Sequence, residues 1–207
     1  MESPAAPQPA GKHSAGEPSA GTSVQDVQQA QKQQDETPRN PYLEPRRPLG
    51  PRDPGDAWVE GEHGRFWGRF GSAGLLVHDA EKGVLLQHRV TWSDHGGTWG
   101  LPGGALHQGE DAVDGALREA KEEAAVPQDS VRVLFTSVFD VGYWSYTTVA
   151  ARVVEPFEPA INDPESLELQ WVDLDAVSDK ELHPGFAAAW PALRRRLEDG
   201  HQSGKQR

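Results

Sequence analysis

The chain has no cysteine, one methionine and no apolar run of the roughly 18 residues that a membrane-spanning helix requires. Without cysteine there are no disulfides and no thiolate metal sites, which fits a reducing compartment. Positive charge is also short: 20 Lys and Arg stand against 32 Asp and Glu, giving a net charge of -12 and a pI of about 5.0. Such a chain repels the backbone of polymeric DNA or RNA. The opening Met1-Glu2-Ser3-Pro4 lacks the basic and apolar parts of a signal peptide. No membrane partner and a cytoplasmic location are therefore expected. A small phosphorylated molecule remains compatible with the charge, because a bound divalent metal inverts the local sign.

Large apolar residues are scarce before Trp58, whereas residues 1–54 carry 10 of the 17 prolines. Ser, Ala, Gly and Gln fill most of the rest, and such a composition cannot bury enough surface to offset its ordering entropy. The expected organisation is a disordered tail over 1–54, one domain over 57–199 and a frayed end over 200–207. A helical tendency near Val24 to Gln34 is the one local signal in the tail.

The most informative stretch runs from Gly103-Gly104 through Glu110 to Arg118-Glu119-Ala120-Lys121-Glu122-Glu123. A helix from about Glu110 to Ala124 sorts these residues by face. Val113, Ala116, Leu117, Ala120 and Ala124 fall on one stripe, at i, i+3, i+4, i+7 and i+11. Glu119, Glu122 and Glu123 gather on another sector, one turn apart, where like charges destabilise a helix by a few tenths of a kcal/mol per pair. A solvated acidic face is one outcome. A divalent cation that offsets the repulsion is the other, and clustered carboxylates suit Mg²⁺ or Mn²⁺.

These residues resemble the Nudix signature, G-x5-E-x7-R-E-U-x-E-E-x-G-U with U a bulky aliphatic. Gly104, Glu110, Arg118, Glu119, Glu122, Glu123 and Val126 match it. Ala120 is small for its position and Ala125 replaces the second glycine. A helix end commonly needs a residue that tolerates positive φ, so a different helix exit is expected at Ala125. The approach Gly97-Thr98-Trp99-Gly100-Leu101-Pro102-Gly103-Gly104 carries the same resemblance. It implies an α/β fold of the Nudix type, an α/β/α sandwich with a mixed β-sheet. It further implies metal-dependent hydrolysis of a diphosphate bond, in a nucleoside triphosphate or a nucleoside diphosphate linked to another group. The metal ligands it implies are Glu119, Glu122, Glu123 and the carbonyl of Gly103. Gly104 and Glu110 are motif residues, and Arg118 orients the glutamates. The base is either a glutamate of the helix, with Glu119 the candidate, or a carboxylate from another loop, for which Glu168 is the candidate. A nucleotide-sensing module without catalysis is the alternative, and a prenyl diphosphate isomerase a third reading. The complete charged positions argue against the second, and the missing cysteine against the third. A second copy of the chain is an open possibility as partner.

The remaining elements follow from local pattern. Trp58-Val59 and Phe66-Trp67 flank a turn and suggest a hairpin. Phe70 to His78 reads as a strand buried on both sides, and Val84 to Arg89 as its return. Here Arg89 and His88 face either substrate or solvent. Val131 to Phe139, Tyr143 to Val154 and Leu167 to Val172 are further strands. Leu174 to Val177 starts a short helix, and Pro184 to Leu197 a closing one that Pro191 kinks or divides. Arg194, Arg195 and Arg196 form either a solvated helix face or a phosphate clamp. Trp92, Trp99, Tyr143, Trp144 and Tyr146 stack on a ring or fill the core. No substrate-binding residue can be assigned from this pattern.

Overall fold

The strands and helices were located in a computed structural model that describes residues 53–204, with side chains through Gly200. The Gln-rich stretch at 24–34 lies outside the described residues.

Alternation of apolar residues dictates a sheet covered on both faces. β1 (Trp58–Gly61) and β2 (Gly64–Trp67) form a separate antiparallel hairpin. β3 (Ser72–Asp79) lies at the centre of the main sheet. It runs parallel to β8 (Ser145–Val153) and antiparallel to β4 (Gly83–Arg89) and to β6 (Gly103–Ala105). β4 also pairs with β5 (Trp99–Gly100) and β9 (Ser166–Val172), while β7 (Val131–Asp140) closes the other edge against β8. One parallel pair among antiparallel ones makes the sheet mixed. The short β5 and β6 are strands that their Gly and Pro content hides from pattern reading.

Each face receives one helix. α1 (Ala112–Ala124) covers the face that presents Ala73, Leu75, Val77, Leu85, Val149 and Ala151. Its contact stripe is Ala116, Ala120 and Ala124, all fully buried, with Val113 and Leu117 half-buried beside them. Small side chains let the helix approach the sheet closely, which explains Ala120 where a larger aliphatic is the norm. α2 (Pro184–Gly204) covers the other face, packing Phe186, Trp190, Leu193 and Leu197 on Leu76, Leu86 and Ala150. It continues past Pro191 and past Gly200. The short helix after β9 is a single 3₁₀ turn, Val177–Asp179.

The ends of α1 are fixed locally. Asp111 is the N-cap, its carboxylate accepting from the Val113 N–H at 2.8 Å, a contact generally worth about 1 kcal/mol. Ala125 takes the left-handed conformation itself, at φ 54° and ψ 28°. Its N–H and that of Val126 reach the carbonyls of Lys121 and Ala120, at 3.2 and 3.1 Å. The expected change of exit does not occur: the ordinary left-handed closure forms on a residue with a Cβ, at a conformational cost of about 1 kcal/mol.

Candidate active site

The two glycines of β6 bring α1 and β3 together. A Cβ on Gly103 has no room against the backbone of Ala73 and Gly74, and one on Gly104 would sit 2.7 Å from the Glu119 carboxylate. Their bare backbone lets the glutamates of α1 reach the end of the sheet. Glu123 is only 4% exposed and accepts from the Gly103 N–H at 2.8 Å. The structure thus shows the amide of Gly103 as its visible contribution to the cluster.

Arg118 organises the rest. Its Nε and Nη2 donate to both oxygens of Glu110, at 2.8 and 2.9 Å, and Nη2 also donates to the Ala105 carbonyl at 3.1 Å. Its Nη1 donates to Glu119 at 2.8 Å and to Glu122 at 3.2 Å. Glu110 in turn accepts from the His107 N–H at 2.9 Å. One guanidinium therefore fixes three carboxylates, a role its planar fork allows and a lysine does not. The hydrogen bond from Arg118 holds Glu110 down at about 2, and the same bond pushes Arg118 further above its usual range.

Burial has the opposite effect deeper in. It pushes Glu119 up to about 7 against the pull of Arg118. It drives Glu123 well above the usual carboxylate range, helped by the charges of Glu119 and Asp163. Asp163, in the loop before β9, is raised by burial as well. Asp163, Glu165 and Glu123 each bring a carboxylate oxygen to within 4.8 Å of the others. Glu122 is 59% exposed at the rim of this cluster. Glu168 stands elsewhere: it is exposed on β9, opposite His88, and is not among the residues lining the cavity. The loop carboxylates near the helix are Asp163 and Glu165, which local pattern missed because only the fold carries that loop to Glu123.

Glu119, Glu122 and Glu123 line one end of a cavity of about 500 Å³ on the α2 face of the sheet. Arg89, at the end of β4, faces Glu123, Asp163, Tyr146 and His183. His88 turns aside to stack on Trp99 at 4.7 Å and to bond the Gly97 carbonyl. Beyond Arg89, the half-buried His183 is held well below the usual imidazole range by desolvation and by the charges of Arg89 and His95. Its Nδ1 accepts from the Gly185 N–H at 3.2 Å, which leaves the proton on Nε2. Aromatic side chains also line the cavity, among them Phe66, Trp67, Phe139, Trp144 and Tyr146. Of the five aromatic candidates, Trp92, Trp144 and Tyr146 line the cavity. Trp99 belongs to the core against α2, and Tyr143 donates to the Gly64 carbonyl at 2.9 Å. Two members of the arginine run have partners within the fold. Arg194 pairs with Asp175 and Glu198, and Arg196 lies over Phe135 and donates to the Thr136 carbonyl, which accords with a helix face held by the fold.

An α/β/α sandwich whose glycine turn and helix present clustered carboxylates to an aromatic cavity defines a hydrolase of the phosphoric anhydride class. Residues 68–195 match the NUDIX domain family. A relative in Mycobacterium tuberculosis, "Putative 8-oxo-dGTP diphosphatase 3", is 46% identical over 154 residues, covering 69% of this chain and 70% of the relative. A "Nucleoside triphosphate pyrophosphatase/Nudix hydrolase fusion protein" of Bifidobacterium longum is 41% identical over 155 residues, 70% of this chain and 32% of that protein. The crystal structure of a Nudix hydrolase from M. smegmatis, RenU, superposes with a TM-score of 0.64 at 46% identity, covering 70% of this chain and 96% of that one. The chain belongs to the Nudix hydrolase family.

Proposed function

We propose that this protein hydrolyses a diphosphate bond in a nucleoside triphosphate with the help of Mg²⁺ or Mn²⁺. The observation that carries the reading is the carboxylate cluster. Five acidic side chains, Glu119, Glu122, Glu123, Asp163 and Glu165, line a cavity whose lining also includes Arg89, while Arg118 is engaged by Glu110. Three of them are held above their usual range by burial and mutual charge. An all-oxygen set of this kind fits a hard divalent cation, which would relieve the repulsion. When bound, such an ion supplies Lewis acidity toward the phosphoryl oxygens and a lower pKa for coordinated water.

The protein's own groups do the positioning. Arg118 keeps Glu119 and Glu122 aimed at the cavity. The Gly103 N–H fixes one oxygen of Glu123 and leaves the other toward the loop acids. Arg89 supplies positive charge to a phosphate chain laid along the carboxylates. Asp163 and Glu165 join Glu119 as carboxylates positioned to accept a proton from attacking water. The names of the relatives support a nucleoside triphosphate, including an oxidised purine nucleotide, as the substrate class. A purely sensing role is disfavoured because the charged positions of the cluster are all present and mutually engaged.

The test is a panel of nucleoside triphosphates, nucleotide sugars and dinucleoside polyphosphates incubated with Mg²⁺, with products separated by ion exchange. Release of a nucleoside monophosphate from triphosphates is the expected result. No turnover across the panel, with tight nucleotide binding, would favour the sensing reading.

A further inference from the structure

We propose that Gln87 and Ser166 are positioning residues: hydrogen bonds running from Gln87 through Ser166 to Asp163 hold the Asp163 carboxylate against Glu123 for a divalent cation. This rests on the metal reading above. It concerns two uncharged side chains outside the acidic cluster.

The bonds run in one direction. Gln87, fully buried on β4, donates from Nε2 to the Ser166 hydroxyl at 2.7 Å. That oxygen is thereby an acceptor, so its own proton goes to Asp163 Oδ1, at 3.2 Å. The Glu165 N–H donates to the same Oδ1 at 3.1 Å. Both bonds fall on one oxygen, which leaves Oδ2 available to a ligand. The meeting of Gln87 and Ser166 is a product of the sheet. The register between β4 and β9 shifts at His88 and Arg89, so Gln87 stands opposite Leu169 while Ser166 stands opposite Arg89. Such an irregularity re-aims a side chain at a strand end.

The loop itself does not depend on these side chains. Its backbone is tied to the end of α1, where the Asn162 and Ala160 N–H groups donate to the carbonyls of Glu123 and Ala124, both at 3.2 Å. It is tied to β4 by the Val90 N–H, which donates to the Glu165 carbonyl at 3.0 Å. What the Ser166 hydroxyl adds is the direction of one carboxylate. Nor does Gln87 suit the core as filler. It sits among fully buried leucines and valines, and its Oε1 has no hydrogen-bond partner among the described residues. A buried amide with an unpaired oxygen is unfavourable where an apolar residue would pack. The bond to Ser166 is the one interaction for which the amide is required. Partners of this kind, behind the residues that face a metal, fix how those residues present their oxygens.

The experiment measures Mn²⁺ binding to the full-length chain without nucleotide, from the electron paramagnetic resonance signal of the free ion. The proteins are the parent, Ser166→Ala, Gln87→Leu, Asp163→Asn and the Ser166→Ala/Asp163→Asn pair, each with a melting curve in EDTA. Ser166→Ala is expected to weaken Mn²⁺ binding by about tenfold, the scale for loss of such a partner. Gln87→Leu should weaken it in the same direction while melting no lower than the parent, since the unpaired oxygen is gone. Gln87→Leu decides the matter if Ser166→Ala does not fold. In the Asp163→Asn background the Ser166→Ala change should cost less than about twofold, because the residue through which it acts is already altered. An equal loss in both backgrounds would make the serine merely structural and overturn the proposal. So would parental Mn²⁺ affinity in Gln87→Leu or in Asp163→Asn. A parent that binds no Mn²⁺ overturns the proposal together with the metal reading it rests on.

Discussion

Glu123 shows how much of a residue's behaviour the fold decides. In the sequence it is one of three equivalent glutamates on a helix sector. In the structure it is the buried one, bonded to a glycine amide, while Glu122 stays at the rim. The spacing made Arg118 and Glu110 legible as motif residues, but not their bidentate pairing, which spans the loop between β6 and α1. The sequence pointed to Glu168 for the loop carboxylate. Strand alternation does not tell which loop returns to the helix: Glu168 lies exposed on β9, and Asp163 and Glu165 are the loop carboxylates beside Glu123. Arg118→Lys keeps the charge but loses the fork, leaving Glu110 and Glu119 poorly satisfied. A loss of about 1.5 kcal/mol in urea-derived stability is expected, the scale of a lost hydrogen bond to a charged group. A loss below a few tenths would show that the network is not structural.

Titration of the same residues gives stability a pH signature. Glu110, held at about 2 by Arg118, stabilises the fold above pH 4.5, and this contribution is lost as pH falls toward 2. Glu119 runs the other way. Pushed up to about 7, it penalises the metal-free fold above that pH, and the penalty fades on acidification toward 4.5. Glu123 and Asp163 share its sign. Metal-free protein should therefore melt higher near pH 5.5 than near pH 8, then lose stability below about pH 4. A thermal melt series in EDTA measures this, and a flat or inverted profile between pH 5.5 and 8 contradicts the assigned burial.

At the scale of elements, α1 was legible because its period, cap and stop signals agree, and its observed span begins two residues after the expected start. β5 and β6 were not, since two- and three-residue strands rich in glycine have no period to read. The closing helix was legible in type but not in length, because a proline in its interior is an ambiguous signal that packing on the sheet overrides. The end of α1 holds the clearest local strain. Ala125→Gly removes a Cβ from the left-handed region without touching a buried contact stripe, so stability should rise by about 0.5–1 kcal/mol. An equal or lower denaturation midpoint would show that the Ala125 Cβ contributes packing that offsets its backbone cost.

For the whole molecule, composition suggests a tail over 1–54 ahead of one domain, and the residues just before Trp58 make contacts of their own. Asp53 caps the Gly55 amide and Gly55 packs on Leu106. Deletion of residues 1–52 should leave the melting temperature within about a degree, whereas deletion through Pro54 removes the Asp53 contacts and should lower it. Loss of several degrees in the shorter deletion would show that the tail packs on the domain. Metal belongs to this scale too, since a ligand of the folded state raises its stability by mass action. If the proposed Mg²⁺ site is formed by these carboxylates, protons compete with it, and the melting shift caused by Mg²⁺ should be larger near pH 8 than near pH 5.5.

The most direct measurement is turnover of a nucleoside triphosphate with Mg²⁺ by Glu119→Gln, Glu122→Gln and Glu123→Gln beside the parent. Each variant keeps side-chain size and removes one carboxylate charge from the cluster. Rate losses on the order of 10²-fold or more are expected for the buried Glu119 and Glu123, with a smaller loss for the rim residue Glu122. Metal-free stability should hold or rise slightly as a like-charge repulsion disappears. Wild-type turnover in all three variants, on a substrate the parent hydrolyses, would contradict the placement of the active site on α1.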